Sequence, residues 1–143
     1  MAKKTSIQEG KLLFRLYQQH STIDGTGCFA GETIPARKKI GELGGELITA
    51  REGRKRVQQQ HKITMVESGN GWSLDASKHA NVLRYVNHSC QPNAYLRCYQ
   101  YKVELYALKF IRRNEEITCD YGETHHDGNR RCNCGMPGCK GFL

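Results

Sequence analysis

The sequence of 143 residues has no long apolar run, no internal repeat and no low-complexity block. No stretch approaches the about 20 apolar residues that a transmembrane helix requires. Lysines at positions 3 and 4 open the chain, but neither an apolar segment nor a small-residue cleavage site follows them. We therefore expect an intracellular protein without a secretion signal and without a membrane partner.

The length and charge limit the classes that remain. A chain of 143 residues can bury one modest core, so we expect one domain and a monomer. Lys and Arg number 22 against 14 Asp and Glu, a net charge of +8 that is spread along the chain. This balance suits a mildly basic enzyme, and it also suits a protein that binds nucleic acid.

Seven cysteines are many for this length, and without a secretion signal they indicate thiols or metal ligands before disulfides. Four are scattered, whereas Cys132, Cys134 and Cys139 crowd into one short segment near the end. Zn²⁺ prefers four ligands, so these three thiolates need a fourth from elsewhere. His125 and His126 are near in sequence, and a pair of disulfides is the alternative without metal.

Apolar and alternating patterns predict strands at residues 12–17, 29–34 and 72–75, and a hairpin over 95–111 with its turn near 100–102. Little of the chain has a helical pattern. Many short strands and little helix predict a mostly β (α+β) fold.

Two short helical segments are predicted. Thr49 and Glu52 match a capping box, which predicts a helix over 50–60. Residues 80–86 suit one or two helical turns, with Leu83 and Val86 facing inward. The arginines and lysine of the first helix are expected to form a solvated face: Arg51, Arg54, Lys55 and Arg56.

Two polar segments stand out, residues 87–93 (NHSCQPN) and 115–122 (EEITCDYG). Taken alone, the first is typical of a turn, and Tyr121 in the second is typical of an exposed aromatic at a strand end. Together they resemble the SET-domain lysine methyltransferases. Five matches follow in the family's order: a glycine loop at 25–30, a strand pair at 41–49, then 75–93, 115–122, and a cysteine tail at 132–143.

The resemblance implies a SET fold of several small β-sheets, in which segment 115–122 threads beneath the loop formed by 87–93. It implies an N-terminal extension over 1–10, a SET domain over 11–123 and a post-SET zinc-binding tail over 124–143. In the family the fourth zinc ligand is the cysteine after Asn-His-Ser, so the resemblance implies Cys90 with Cys132, Cys134 and Cys139.

The activity implied by the resemblance is methyl transfer from S-adenosylmethionine to the ε-amine of lysine, with S-adenosylhomocysteine as product. Tyr121 corresponds to the catalytic tyrosine and is expected to orient the amine rather than to act as a base, since an unperturbed tyrosine pKa is near 10. The residues matching the family's cofactor contacts are Gly25, Gly27, Cys28, Phe29, Asn87, His88, Tyr121, Phe142 and Leu143.

The substrate channel implied by the resemblance comprises Leu43, Cys119 and Tyr121. Many relatives carry a tyrosine where Leu43 stands, so Tyr121 is expected to have less hydroxyl support. The side chains that can compensate are Tyr85, Tyr95, Tyr99 and His61.

The expected partner is a protein with an exposed lysine, a histone tail or another basic protein, and nucleic acid is secondary. A eukaryotic chain would then act in the nucleus or on chromosomes, and a bacterial one in the cytoplasm or in a host. The competing hypothesis is a non-catalytic, zinc-stapled SET-like module that binds nucleic acid or chromatin through its basic surface.

The size of Cys119 generates a prediction about the product. Relatives usually carry an aromatic at this position, two residues before the catalytic tyrosine, and the smaller cysteine leaves room for more methyl groups. We expect di- or trimethyl-lysine in mass spectra of the product. Monomethyl-lysine alone, even with excess enzyme, would contradict this expectation.

Overall fold

The computed structural model describes residues 6–59, 65–69, 71–99, 101–121, 132 and 134–141. The fold of these residues is mostly β, as predicted. No helix among them is long and apolar enough to cross a bilayer. The strands are β1 Ser6–Gln8, β2 Lys11–Leu12, β3 Leu16–His20, β4 Thr26–Ala30, β5 Lys39–Glu42, β6 Gly45–Thr49, β7 Met65–Gly69, β8 Trp72–Asp75, β9 Asn87–His88, β10 Ala94–Tyr99, β11 Lys102–Ala107 and β12 Glu116–Cys119.

The strands form two sheets. Strands β1, β6, β8 and β7 make the smaller sheet in that order, and the larger runs β2-β5-β11-β10-β12-β4-β3, with β9 attached to β12. The predicted hairpin is confirmed as β10 and β11, whose turn includes Tyr101 at φ 71°. The single strand expected over 12–17 is wrong, because β2 pairs with β5 whereas β3 pairs with β4.

The strand expected over 29–34 also differs from the structure. Strand β4 begins earlier, at Thr26, and ends at Ala30, while Ile34 makes an isolated bridge to Ile111. Helical turns predicted at 80–86 are confirmed as a 3-10 helix, Val82–Tyr85, with Leu83 and Val86 buried.

The α-helix α1, Ala50–Val57, begins where the capping box predicts and ends three residues early. The side chain of Thr49 accepts the backbone N–H of Glu52 at 3.1 Å, which satisfies one of the free donors of the first turn. Gly53 lies against Ser73, where a Cβ would come within 2.9 Å of the Ser73 Cβ. The helix can therefore pack closely on β8.

Arg56 is not part of a solvated face, contrary to the expectation from its sequence. Its guanidinium binds the carboxylates of Glu46 at 2.8 Å, Glu52 at 3.0 Å and Asp75 at 2.9 Å. Burial acts to raise the pKa of Asp75, but hydrogen bonds from Ser77 and Arg56 hold that pKa below its ordinary value. Arg56 therefore fastens α1 to the smaller sheet.

The apolar core is one cluster of buried side chains contributed by both sheets, with Ile34, Ile40, Leu74, Leu105 and Ile117 fully buried. Tyr121 packs against the edge of this cluster. Burial of such side chains supplies the main driving force for folding, at about 1.5–3 kcal/mol each.

Strand β12 pairs with both β9 and β10, the strands on either side of loop 89–93. Its Cys119 pairs with His88 of β9 and with Ala94 of β10, both in parallel, so loop 89–93 crosses from one of these strands to the other. The Asn93 side chain accepts the Thr118 N–H at 2.9 Å and donates to the Glu116 carbonyl at 2.8 Å. The threading that the resemblance implied is therefore present.

Lys39 joins β5 to β11 through two carboxylates. Its Nζ lies 2.7 Å from Glu42 and 2.8 Å from Glu104, and each of these glutamates is only 7% exposed. The hydrogen bond from Lys39 is the largest cause that lowers the pKa of Glu104. The contribution of Glu104 to stability is thus present above its unfolded-state pKa and is lost as the pH falls through its lower native pKa.

Replacing this lysine should make the stability loss depend on pH. At pH 7 the Lys39→Met variant should lose about 2 kcal/mol of unfolding free energy, since two buried carboxylates then lack their main cation. At pH 3 the difference from the parent protein should shrink, because protonated carboxyls need no cation. Urea unfolding at both pH values measures this, with exposed Lys38→Met as the control. Equal losses at both pH values would contradict the assignment.

Candidate functional site

Only Gly25 of the predicted glycine loop 25–30 lies outside a strand, because Thr26–Ala30 form β4. The glycine loop of the structure is residues 21–27, which join β3 to β4 and are closed by their own backbone. The Ser21 N–H donates to the Gly25 carbonyl at 2.7 Å, and Gly25 adopts a φ of 47°, in the left-handed region that favours glycine. The loop therefore reverses the chain within four residues.

Asn87 binds this loop from β9. Its Nδ2 donates to the carbonyl oxygens of Asp24 at 3.2 Å and Thr26 at 3.3 Å. The same nitrogen lies 3.0 Å from the Glu116 carboxylate and 3.2 Å from the Ser21 hydroxyl. All four oxygens can accept a hydrogen bond, so the amide nitrogen rather than the amide oxygen must face them. The Asn87 nitrogen thereby holds the loop.

A partly buried carboxylate, that of Glu116, completes this arrangement. Ser21, only 3% exposed, donates to Glu116, whose two oxygens lie 2.8 and 2.9 Å from the serine hydroxyl. A Cβ at Gly27 would collide with the Glu116 carboxylate, so a side chain there would have to displace this carboxylate from its bonds to Ser21 and Asn87. The motif 115–122 contains Glu116, but the sequence predicts an acidic residue near the substrate groove rather than this contact with the loop. Sequence reasoning missed Ser21, which no local pattern marks.

Tyr121 follows β12 and is held through both its hydroxyl and its backbone. Its hydroxyl donates to the Val86 carbonyl at 2.8 Å, and its backbone N–H donates to Nδ1 of His88 at 2.9 Å. The His88 and Tyr121 rings meet edge to face, with centroids 5.3 Å apart. The Val86 carbonyl has no sequence signal, because any residue type supplies one.

His88 is 4% exposed and lies between Tyr121 and the cysteine cluster. Its Nε2 is 3.4 Å from Sγ of Cys90. Burial lowers the pKa of His88, opposed by the Asp120 carboxylate at 3.7 Å from Nδ1. The balance favours the neutral ring.

The structure brings together the four cysteines that the resemblance named as ligands, Cys90, Cys132, Cys134 and Cys139, with every Sγ within 4.8 Å of the others. Tetrahedral zinc with bonds of about 2.3 Å would separate the sulfurs by about 3.8 Å, and Cys90 and Cys132 are 3.9 Å apart. Backbone N–H groups of Lys140 and Gly141 donate to the sulfurs of Cys90 and Cys139 at 3.3 and 3.4 Å. The cluster fits zinc. The rival ligands His125 and His126 lie outside the described residues.

The remaining predicted site residues are placed as follows. Cys28 is fully buried, and burial raises the pKa of its thiol to about 12, with Glu116 acting in the same direction. Phe29 stacks on Tyr17 at 5.6 Å. Phe142 and Leu143 lie outside the described residues, so their expected contact with adenine stays a prediction.

The predicted channel residues Leu43 and Cys119 are buried in the core cluster against which Tyr121 packs. Burial, with Asp120, raises the pKa of the Cys119 thiol to about 12, so it is neutral. Among the tyrosines considered as substitutes for the missing hydroxyl at Leu43, Tyr85 packs on this cluster, whereas Tyr95 and Tyr99 are exposed. His61 lies outside the described residues.

The sequence profile of the SET domain matches residues 25–122 of the chain. The matched segment runs from the glycine loop to the residue after Tyr121. It therefore contains the loop, Asn87, His88, Cys90 and Tyr121.

Curated proteins from fungi and plants are similar over most of the chain. A histone-lysine N-methyltransferase, H3 lysine-4 specific, of Candida albicans is 34% identical over 140 residues, covering 86% of this chain and 13% of that protein. The protein of the same description from Aspergillus oryzae is 35% identical over 86% of this chain and 11% of its own length. Histone-lysine N-methyltransferase ATXR7 of Arabidopsis thaliana is 34% identical over 83% and 9%. The chain thus spans about an eighth or less of these relatives.

The cysteine cluster generates a prediction about metal content. Cys90→Ser should release zinc that the parent protein binds at one ion per chain, because an alcohol is a much weaker zinc ligand than a thiolate. Elemental analysis by mass spectrometry measures the ratio. Cys98→Ser is the matched control, since Cys98 is exposed and outside the cluster. Unchanged zinc in Cys90→Ser would point to His125 or His126 instead.

Proposed function

Because the chain belongs to the SET domain family, we propose that it transfers a methyl group from S-adenosylmethionine to the ε-amine of lysine in a protein. The observation that carries this proposal is the position of Tyr121. Its hydroxyl donates to the carbonyl of Val86, the residue that precedes Asn87 and His88. Asn87 binds the glycine loop, and His88 binds the Tyr121 backbone.

Bound S-adenosylmethionine supplies an electrophilic methyl group on a sulfonium sulfur, so transfer depends mainly on in-line placement. The residues present suit it, since the loop at 24–27 offers a closely held backbone and Tyr121 offers an oxygen. Asn87 supports the loop through its amide nitrogen. Gly25, Gly27, Cys28, Phe29 and His88 are the other described residues that we assign to this site.

The Tyr121 hydroxyl is suited to act as an acceptor. Its proton is directed to the Val86 carbonyl at 2.8 Å, so toward a substrate donor this oxygen acts as an acceptor. An amine or ammonium of the substrate is such a donor. A fixed oxygen orients the amine and stabilises positive charge without any proton transfer by the tyrosine itself.

Deprotonation of the substrate lysine follows from its surroundings. A free lysine has a pKa near 10.4 and is charged at neutral pH. Leu43 and Cys119, both buried and uncharged, provide an apolar wall beside Tyr121, which disfavours the ammonium. A lysine that enters from solvent can then leave its proton with water.

The proposed substrate is a histone or another basic protein. The curated relatives named above are described as histone-lysine methyltransferases, two of them specific for H3 lysine 4, and their similarity supports this class. We place the chain on chromatin accordingly. The limits 11–123 for the catalytic unit and 124–143 for the tail remain part of the proposal, with zinc fastening the tail at Cys90.

Tyr121→Phe tests the proposal. The variant should lose at least about 100-fold in turnover on core histones, since it keeps the ring but lacks the oriented oxygen. Its affinity for S-adenosylhomocysteine, measured by titration calorimetry, should change less than about threefold. Mass spectrometry of the histones gives the turnover.

Tyr99→Phe is the matched control, because Tyr99 is half exposed on the outer face of β10. Full activity of Tyr121→Phe would remove Tyr121 from its role. A folded, zinc-loaded parent protein that binds no S-adenosylhomocysteine would instead favour the non-catalytic module.

A further inference from the structure

We infer that His88 is a positioning residue that couples the cysteine cluster to Tyr121 through the two nitrogens of one imidazole ring. Nδ1 lies 2.9 Å from the Tyr121 backbone nitrogen, and Nε2 lies 3.4 Å from Sγ of Cys90. This inference rests on the proposed function only for the role of Tyr121. The contacts themselves do not depend on it.

The backbone contact determines the position of the ring proton. A backbone N–H can only donate, so Nδ1 must accept and must carry no proton. In the neutral ring the proton is then on Nε2, the nitrogen that faces sulfur. The Nε2–H group therefore donates to Cys90, and this donor stabilises the thiolate form that a metal requires.

The ring cannot turn over without losing both contacts. A rotation of 180° would exchange each nitrogen for a carbon, placing C–H groups against the Tyr121 N–H and the Cys90 sulfur. The Tyr121 ring packs on one side at 5.3 Å, and the His88 backbone pairs with Cys119. His88 is thereby held in a single orientation.

The charged groups around His88 do not change the assignment of its ring proton to Nε2. Asp120 Oδ1 is 3.7 Å from Nδ1, beyond hydrogen-bond distance, and Lys140 Nζ is 3.9 Å from the other oxygen of the same carboxylate. The Tyr121 nitrogen, at 2.9 Å, is closer to Nδ1 than the Asp120 carboxylate is. The tail residue Lys140 lies near that carboxylate, and its backbone N–H contacts the Cys90 sulfur.

Coupling of this kind is reciprocal. If metal binding at Cys90 favours the observed orientation of His88, then fixing His88 also favours metal binding. Partners that hydrogen-bond to metal ligands typically change metal affinity by about 10- to 100-fold when they are removed. The tail and Tyr121 should therefore be ordered together.

Two substitutions at His88 distinguish the role of Nδ1 from that of Nε2. The oxygen of an asparagine side chain can replace Nδ1 as acceptor, but asparagine is too short to reach Cys90. The amide nitrogen of glutamine can replace Nε2 as donor, but glutamine has no acceptor at the Nδ1 position. His88→Asn and His88→Gln are compared with the exposed control His20→Asn in the zinc-loaded protein.

Zinc release to a chromogenic chelator and the ¹⁵N-tyrosine amide spectrum give two independent readouts. His88→Asn should release zinc about 10- to 100-fold faster while the Tyr121 amide signal, assigned with Tyr121→Phe, stays in place. His88→Gln should release zinc within about threefold of the parent rate, while that signal shifts and turnover falls. Parent-like zinc release by His88→Asn, or an unmoved signal in His88→Gln, would overturn the inference.

If neither variant folds, the parent protein alone shows which nitrogen of the His88 ring carries the proton. The ¹⁵N-histidine spectrum distinguishes a ring protonated at Nε2 from one protonated at Nδ1, and the buried ring should show the Nε2–H form. The Nδ1–H form would overturn the inference. None of these readouts except turnover requires methyl transfer, so failure of the proposed function would be seen separately.

Discussion

The parallel pairing of Asn87 and His88 with Thr118 and Cys119 is the constraint on which the rest of the site depends. Successive side chains of a strand point to opposite faces. Asn87 is therefore directed to the glycine loop, and His88 to Tyr121 and the cysteines. The pairing of these two residues with β12 thus fixes the distance between Asn87, which holds the glycine loop, and His88, which faces the cysteine cluster.

The ladder is stable because its polar neighbours satisfy one another. Ser21, Asn87, Asn93 and Thr118 are all buried, and no buried side-chain nitrogen or oxygen among the described residues lacks a hydrogen-bond partner. A satisfied buried network specifies one arrangement, whereas a partly satisfied one costs about 1–3 kcal/mol for each open group. Glu116 is the centre of this network, since it binds Ser21 and Asn87 and lies against Gly27.

Local chemistry was predictable from the sequence where it depends on neighbours in the chain. The capping box at Thr49 and the hairpin of β10 and β11 are of this kind, and the family resemblance supplied the threading of β12. Strand limits were less predictable, because residues 12–17 change partners from β5 to β4 in mid-run. The prediction that Arg56 lies on a solvated face was wrong for a similar reason. Its carboxylate partners Glu46 and Asp75 lie in β6 and β8, and a helical pattern does not reveal contacts with distant strands.

The tail differs from the rest of the fold in what fastens it. Among residues 132 and 134–141 the structure has no strand, and their backbone bonds are short-range, from Cys132 to Gly141 and from Cys139 to Met136. Among the described residues, contacts to the body include the Cys90 sulfur, the Gln91 amide on Pro137 at 2.7 Å, and Lys140 near Asp120. Ordering the segment costs conformational entropy of about 1–2 kcal/mol per residue, which a hydrogen bond offsets only in part. A metal on four thiolates would add to these contacts, since its free energy of binding would then be free energy of folding. The zinc that we propose would therefore fasten the described tail residues to Cys90, two residues from the His88 side chain that binds Tyr121.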